Sequence, residues 1–131
     1  MSLILTVVRR MTALGLCTAA TLTAPFTTLP AHAAPGARLV ITVTPQAGGA
    51  YAMLLTCDPD GGLHPSPLQA CDELREVDGH FPALNVDPGP CPDNWDPVVV
   101  EANGNWYGRP NSYYKRFSNS CEMTRALGPV V

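Results

Sequence analysis

Five cysteines in 131 residues, at positions 17, 57, 71, 91 and 121, constrain this chain more than any other feature. Cys17 lies in an apolar, small-residue run over residues 11–29 that follows Arg9 and Arg10 and leads to Ala31-His32-Ala33. A basic start, an apolar stretch and a small-x-small cleavage site make an export signal, so residues 1–33 are expected to be a signal peptide and 34–131 the mature domain. Threonines and Pro25 make the same run a poor membrane-spanning helix. Leu14-Gly15-Leu16-Cys17 is close to a lipid-attachment box, but Leu16 is too large for the residue before a lipidated cysteine. The apolar residues 2–8 ahead of the arginines would fit a true start nearer Val8. Removing the signal leaves four cysteines, an even number in an exported chain, where disulfides persist. Four cysteines allow three pairings.

The remaining 98 residues are one domain with a modest core, which two bridges would supplement. Eight basic residues less Arg9 and Arg10 leave six against eleven acidic ones, a formal charge of −5. Such a surface argues against nucleic acid or an anionic membrane as partner.

Residues 38–44, rich in β-branched side chains and ending at Pro45, predict a strand. Its continuous apolar character predicts cover on both faces, by a helix on one and a partner subunit on the other. Residues 51–57 predict a second strand, paired with the first as an antiparallel hairpin. Residues 58–65 read as loop; the Asp58-Pro59-Asp60-Gly61 start has a calcium-loop flavour but lacks the closing glutamate, and aspartates beside Pro and Gly commonly make turns. Ser66, Pro67 and Gln69 predict a helix start with a capping box. Leu68, Cys71, Leu74 and Val77 then mark a buried face and Gly79 the stop. A bridge from Cys57 to Cys71 would staple this helix to the sheet, worth about 3 kcal/mol of loop entropy.

Residues 80–90 are irregular, anchored by Phe81 and Leu84. A strand over 98–102 is expected to turn at Asn103-Gly104, with the return starting at Asn105, interrupted as a bulge or edge around Pro110, and resuming over 112–117. Residues 118–127 predict a short capped helix ending at Gly128, followed by a last strand or tail.

Little here suits catalysis. His64 and His80 sit beside proline or apolar residues, no serine or cysteine lies in a nucleophile motif, and bridged cysteines leave no thiolate for metal. No cofactor and no metal are expected. Asp93 and Asp96 could pair as in a glycosidase, but a chain this small offers no cleft. Trp95, Trp106, Tyr107, Tyr113 and Tyr114 could form a sugar platform, although strand aromatics commonly pack across strands. The stretch Gly89-Pro90-Cys91-Pro92-Asp93-Asn94-Trp95-Asp96-Pro97 is different. Its X-Pro steps force extended backbone, and a bridge at Cys91 would pin it, displaying Asp93, Asn94 and Trp95 beyond the pin.

Cys91-Pro92-x-x-Trp95-Asp96-Pro97-Val98-Val99, followed by Phe117-Ser118-Asn119-x-Cys121-Glu122-Met123, resembles the Streptomyces subtilisin inhibitor family. Leu54-Leu55-Thr56-Cys57, His64-Pro65 and Ala70-Cys71 extend the resemblance over the mature chain. It implies a secreted serine-protease inhibitor of α+β class, with an antiparallel sheet of about five strands, two helices and two disulfides, forming homodimers through the sheets. The implied pairing is Cys57 with Cys71 and Cys91 with Cys121. Carried over by position, Asp93 enters the protease pocket and Asn94 follows the scissile bond. Pro90, Cys91 and Pro92 lie on the acyl side, Trp95 and Asp96 on the leaving side, and Asn119 braces the loop from below.

The family usually carries Met, Lys or another long side chain where Asp93 stands. A carboxylate in an apolar pocket loses its water without gaining a partner, at a cost of several kcal/mol. The expected target is therefore either an acid-preferring serine protease or a subtilisin-like one bound weakly. The alternative is a homologue that has lost inhibition and serves as a secreted protein- or carbohydrate-binding module.

Overall fold

A computed structural model describes residue 31 and residues 33–131 of the chain. Residues His32–Val131 form one compact unit of their own. Apart from Ala31 and Ala33, the expected signal peptide lies outside the described residues.

Five strands build one antiparallel sheet: β1 (Ala37–Pro45), β2 (Tyr51–Cys57), β3 (Gly61–Gly62), β4 (Val98–Trp106) and β5 (Arg109–Phe117), in the order β3-β2-β1-β4-β5. Two helices, α1 (Pro67–Glu76) and α2 (Ser120–Leu127), and short 3-10 turns at Phe81–Ala83 and Gly128–Val130 complete the unit. The α+β expectation holds.

Period-two alternation decides which face is inside. Along β1 the side chains of Ala37, Leu39, Ile41 and Val43 are buried, and their partners Leu55, Met53, Ala102 and Val100 meet them on the same face. Phe81 and Leu84 close this core as expected, with Phe81 stacked 5.0 Å from Tyr113. Burial pushes the Tyr113 phenol up to about 12. The opposite face is open in the single chain: Arg38, Val40 and Thr44 of β1 are exposed there, as are Glu101 and Tyr114.

Several local expectations change. The hairpin turn is not Asn103-Gly104 but Tyr107-Gly108, where both residues take positive φ, 46° and 81°, as a two-residue turn of matching twist requires. Gly104 stays in β4 opposite Asn111 and Leu39; a Cβ there would lie 2.1 Å from the Arg38 carbonyl oxygen, so glycine serves close strand approach. β5 runs through Pro110 without interruption, because β5 is a sheet edge and the missing N–H breaks no ladder.

The loop after Cys57 contributes the two-residue strand β3. Its Asp58 and Asp60 carboxylates accept from Arg75 of α1, which also pairs with Asp72, while the Tyr107 hydroxyl donates to Asp58. Arg75 holds the Asp60 carboxyl below the usual carboxylate range.

Helix α1 has Pro67 in its first turn, but the Ser66 side chain makes no cap. The Ser66 N–H instead donates to Nδ1 of buried His64, whose Nε2 lies 3.1 Å from the Val130 carbonyl. The inward residues are Ala70, Cys71 and Leu74, with Val77 packed at the margin; Leu68 is 57% exposed. A three-residue spacing drifts off a 3.6-residue helix, so Leu68 rotates out of the face that Cys71 and Leu74 define. The chain ends in a 3-10 turn with Val130 buried, not a strand.

Candidate functional site

Residues 88–97 link the irregular segment to β4 without regular structure of their own. Pro92, Asp93, Asn94, Trp95 and Asp96 are exposed, Trp95 at 66%, and Cys91 is half-buried. Pro97 is buried and its carbonyl accepts from Gln46 at 2.9 Å, anchoring the leaving end where β4 begins. The local cause is the series of prolines at 88, 90, 92 and 97, each fixing its own φ and extending the residue before it.

Helix α2 holds this segment from behind. Its N-cap is Asn119, only 3% exposed, whose Oδ1 accepts from the Glu122 N–H at 3.0 Å. Glu122 reaches back to the Ser118 N–H at 3.2 Å, so two otherwise unpaired donors at the helix start are satisfied. The same Asn119 turns its Nδ2 outward and donates to the carbonyls of Pro92 at 3.0 Å and Asn94 at 3.1 Å. These two carbonyls flank Asp93, so one buried amide fixes both sides of the Asp93–Asn94 bond. The Asp96 N–H donates to the Ser118 carbonyl at 2.9 Å on the leaving side.

Two residues beyond Asn119, Cys121 is bridged to Cys91, and Cys57 is bridged to Cys71. A full turn beyond Cys121, Arg125 donates from Nε to the Pro90 carbonyl at 3.1 Å and from Nη1 to the Asp87 carbonyl and carboxylate at 3.1 and 2.9 Å. The Arg125 carbonyl accepts in turn from the Asp87 N–H at 2.9 Å. Sequence reading passed over Arg125. Its signal was present: four residues after Cys121 on a helix is the same face, so it had to point where the bridge points.

Among the described residues the N–H groups of Asp93, Asn94 and Trp95 donate to nothing, and Asp93 and Asp96 form no ion pair. The segment therefore offers an exposed run of free main-chain donors with the unpaired carboxylate of Asp93 among them. That is the form a protease cleft accepts along its edge. Of the aromatics considered as a sugar platform, Trp106 and Tyr113 are inside the core, with the Trp106 Nε1 donating to Asp78. Trp95, Tyr107 and Tyr114 are exposed but lie on different parts of the chain: the loop, the β4–β5 turn and the open sheet face. No platform forms. Cys57, Asp60 and Cys71 cluster, but both sulfurs are consumed by their bridge.

Residues 34–119 match the profile of the family described as Subtilisin inhibitor-like. Subtilisin inhibitor-like protein 5 of Streptomyces fradiae is 48% identical over 81 residues, 60% of this chain and 76% of the relative. Protease inhibitor SIL-V1/SIL-V4 of Streptomyces netropsis is 39% identical over 105 residues, 74% of this chain and 94% of the relative. Among solved structures, sermetstatin of Streptomyces caespitosus, in complex with Bacillus licheniformis subtilisin, superposes with a TM-score of 0.57 at 34% identity, covering 72% of this chain and 96% of that one. Its relatives are protease inhibitors rather than enzymes, and the five-stranded sheet, two helices and paired bridges are in place. The chain belongs to the subtilisin inhibitor-like family.

Proposed function

We propose that the chain inhibits serine proteases in a substrate-like manner, presenting Asp93–Asn94 as the reactive peptide bond. The observation that carries this is the Asn119 amide, which fixes the carbonyls on both sides of that bond while leaving the intervening donors free. A loop already held in the extended form a protease demands loses little entropy on docking, about 0.5–1.5 kcal/mol saved per immobilised side chain. Pro90, Cys91 and Pro92 lie along the acyl side, Trp95 and Asp96 along the leaving side. The catalytic serine attacks the Asp93 carbonyl carbon, and the Asn94 amine leaves with the proton that the histidine took from the serine. Because Cys91 and Asn119 hold both ends, that amine stays close enough to reform the bond.

Asp93 sets the target. Its carboxylate suits a pocket lined by a basic group and penalises an apolar one. Asp93→Met is therefore expected to tighten inhibition of subtilisin by about 100-fold or more, several kcal/mol of relieved desolvation. Inhibition constants for both forms against subtilisin, a trypsin-like and an acid-preferring protease check this. A natural form already as tight on subtilisin as the Met variant contradicts it. Slow cleavage should expose Asn94 as a new N-terminus, and sequencing a nicked form that breaks elsewhere removes this placement. A chain that leaves every protease active would be the binding module considered above.

Export and self-association belong to the same reading. The N-terminal pattern supports release after residue 33, with Ala34 as the mature start. The open sheet face, with Val40 45% and Tyr114 65% exposed, supports a homodimer packed sheet to sheet. Sedimentation of natural protein and Val40→Lys, expected as dimer and monomer, tests it.

A further inference from the structure

We infer that Arg125 is a second positioning residue of the reactive loop, holding its acyl-side leg through Pro90 and Asp87 and thereby slowing net cleavage of Asp93–Asn94. This rests on the placement of the reactive bond proposed above. Asn119 grips the loop on either side of Asp93, and Cys121 grips it at Cys91. Neither reaches the acyl leg ahead of Cys91, where backbone bonds from the Val86 and Asp87 N–H groups to the carbonyls of Ala126 and Arg125 hold only its start, and the Arg125 side chain alone reaches on to Pro90. Its guanidinium is one planar fork that reaches Pro90 with Nε and Asp87 with Nη1, so residues 87 and 90 are held at a fixed separation from the same helix that carries the bridge.

Gly89 lies between those two anchors. A Cβ at Gly89 would fall 2.6 Å from Nη1 and 2.8 Å from Cζ of Arg125, so the guanidinium occupies the space that a side chain at 89 would need. Glycine here makes room for a side chain; its φ is not in the left-handed region. When a serine protease forms its ester with the Asp93 carbonyl and releases the Asn94 amine, two fates compete. The amine can attack the ester and restore the loop, or water can complete hydrolysis. An acyl leg free to swing on Cys91 carries the ester away from the amine and favours water. One held by Arg125 keeps the two within reach.

The test is a double cycle of Arg125→Ala and Gly89→Ala, read in two ways. The first is the rate at which subtilisin cuts the Asp93–Asn94 bond of the intact chain. The second is backbone order parameters of residues 87–92 in the free protein. Alanine preserves helix α2, and thermal unfolding of each variant checks this. Arg125→Ala is expected to speed cutting about tenfold, the scale of a lost hydrogen bond from a charged group, and to lower the order parameters. Gly89→Ala should do the same with Arg125 still present, since its methyl displaces the guanidinium. In the Arg125→Ala background, where that space is vacant, Gly89→Ala should add nothing. Unchanged cutting and order parameters in Arg125→Ala, or additive effects of the two substitutions, overturn the inference. If subtilisin neither is inhibited nor cuts at Asp93–Asn94, the functional placement fails instead. The order parameters of the free protein then still decide whether Arg125 holds the leg.

Discussion

Cys57–Cys71 and Cys91–Cys121 span the same 5.8 Å between Cα atoms, yet they work in opposite surroundings. The first lies wholly inside, both cysteines at zero exposure, tying the end of β2 to α1 amid Leu55, Ala70 and Leu74. Burial of apolar neighbours already holds those elements together. The second is half-exposed and joins the candidate reactive loop to α2, where residues 92–96 bury almost nothing. There the bridge replaces packing, and polar side chains, Asn119 and Arg125, supply the remaining restraint. A core can hold its shape by exclusion of water; a loop that must stay exposed to be bound needs covalent and hydrogen-bonded restraint.

Removing each bridge should separate the two roles. Cys57→Ala with Cys71→Ala loses a 15-residue loop closure worth about 3 kcal/mol and leaves a void where two buried sulfurs were, so stability should fall by about 4–5 kcal/mol. Urea denaturation measures it, and inhibition should disappear only as folding does. Cys91→Ser with Cys121→Ser releases a longer closure, worth nearly 4 kcal/mol on the same entropy model, with no buried void. Its stability loss should be the smaller of the two, while inhibition should drop by more than about 100-fold at temperatures where circular dichroism still reports a folded chain. Equal loss of inhibition per unit of stability in both variants would erase the distinction.

Asn119 sharpens the same contrast, because it belongs to both regions. Asn119→Ala removes the helix cap and the loop brace together, costing about 1 kcal/mol for the cap alone. Asn119→Asp keeps an acceptor for the Glu122 N–H but places a carboxylate against the carbonyls of Pro92 and Asn94. Stability should therefore be closer to natural in the Asp variant, with inhibition impaired about tenfold or more in both. Tight inhibition by Asn119→Asp would mean the brace is dispensable.

How much of this was legible in the sequence follows the same division. Strands β1 and β2 and the helices rest on short-range rules, chiefly periodicity and capping, and they emerged close to where these residues place them. Errors came where a local signal competes with sheet register. Asn103-Gly104 is a good turn dipeptide, but Leu39 on the neighbouring strand needs a partner at 104, so pairing extends to Trp106 and the turn moves to Tyr107-Gly108. The Ser66 capping box gave way to buried His64, which takes the Ser66 N–H for itself. At the site, the loop and Asn119 came from the resemblance. Arg125 was missed although it shares the Cys121 face of α2, and Gly89 was missed because a guanidinium lying against a glycine 36 positions away leaves no local pattern.

The smallest expected effect concerns acid, and it bears on the scaffold end of the comparison. Arg75 gathers Asp58, Asp60 and Asp72 beside the Cys57–Cys71 bridge, and its hydrogen bonds hold the Asp60 carboxyl below its ordinary value. A folded-state value below the unfolded one means that the unfolded chain binds the proton more readily. The contribution to stability is then complete above the unfolded value, near pH 4, and is lost as pH falls through the lower folded one. Urea midpoints should be flat from pH 8 to 5 on this account and decline only below about pH 4. The Asp60 share should be at most about 1 kcal/mol, since partly exposed ion pairs contribute little. Asp60→Asn should start slightly less stable at neutral pH and decline less on acidification, the two curves converging at low pH. Parallel curves would show that Arg75 joins these elements without lending them stability, and that the buried bridge and its apolar neighbours hold α1 to the sheet unaided.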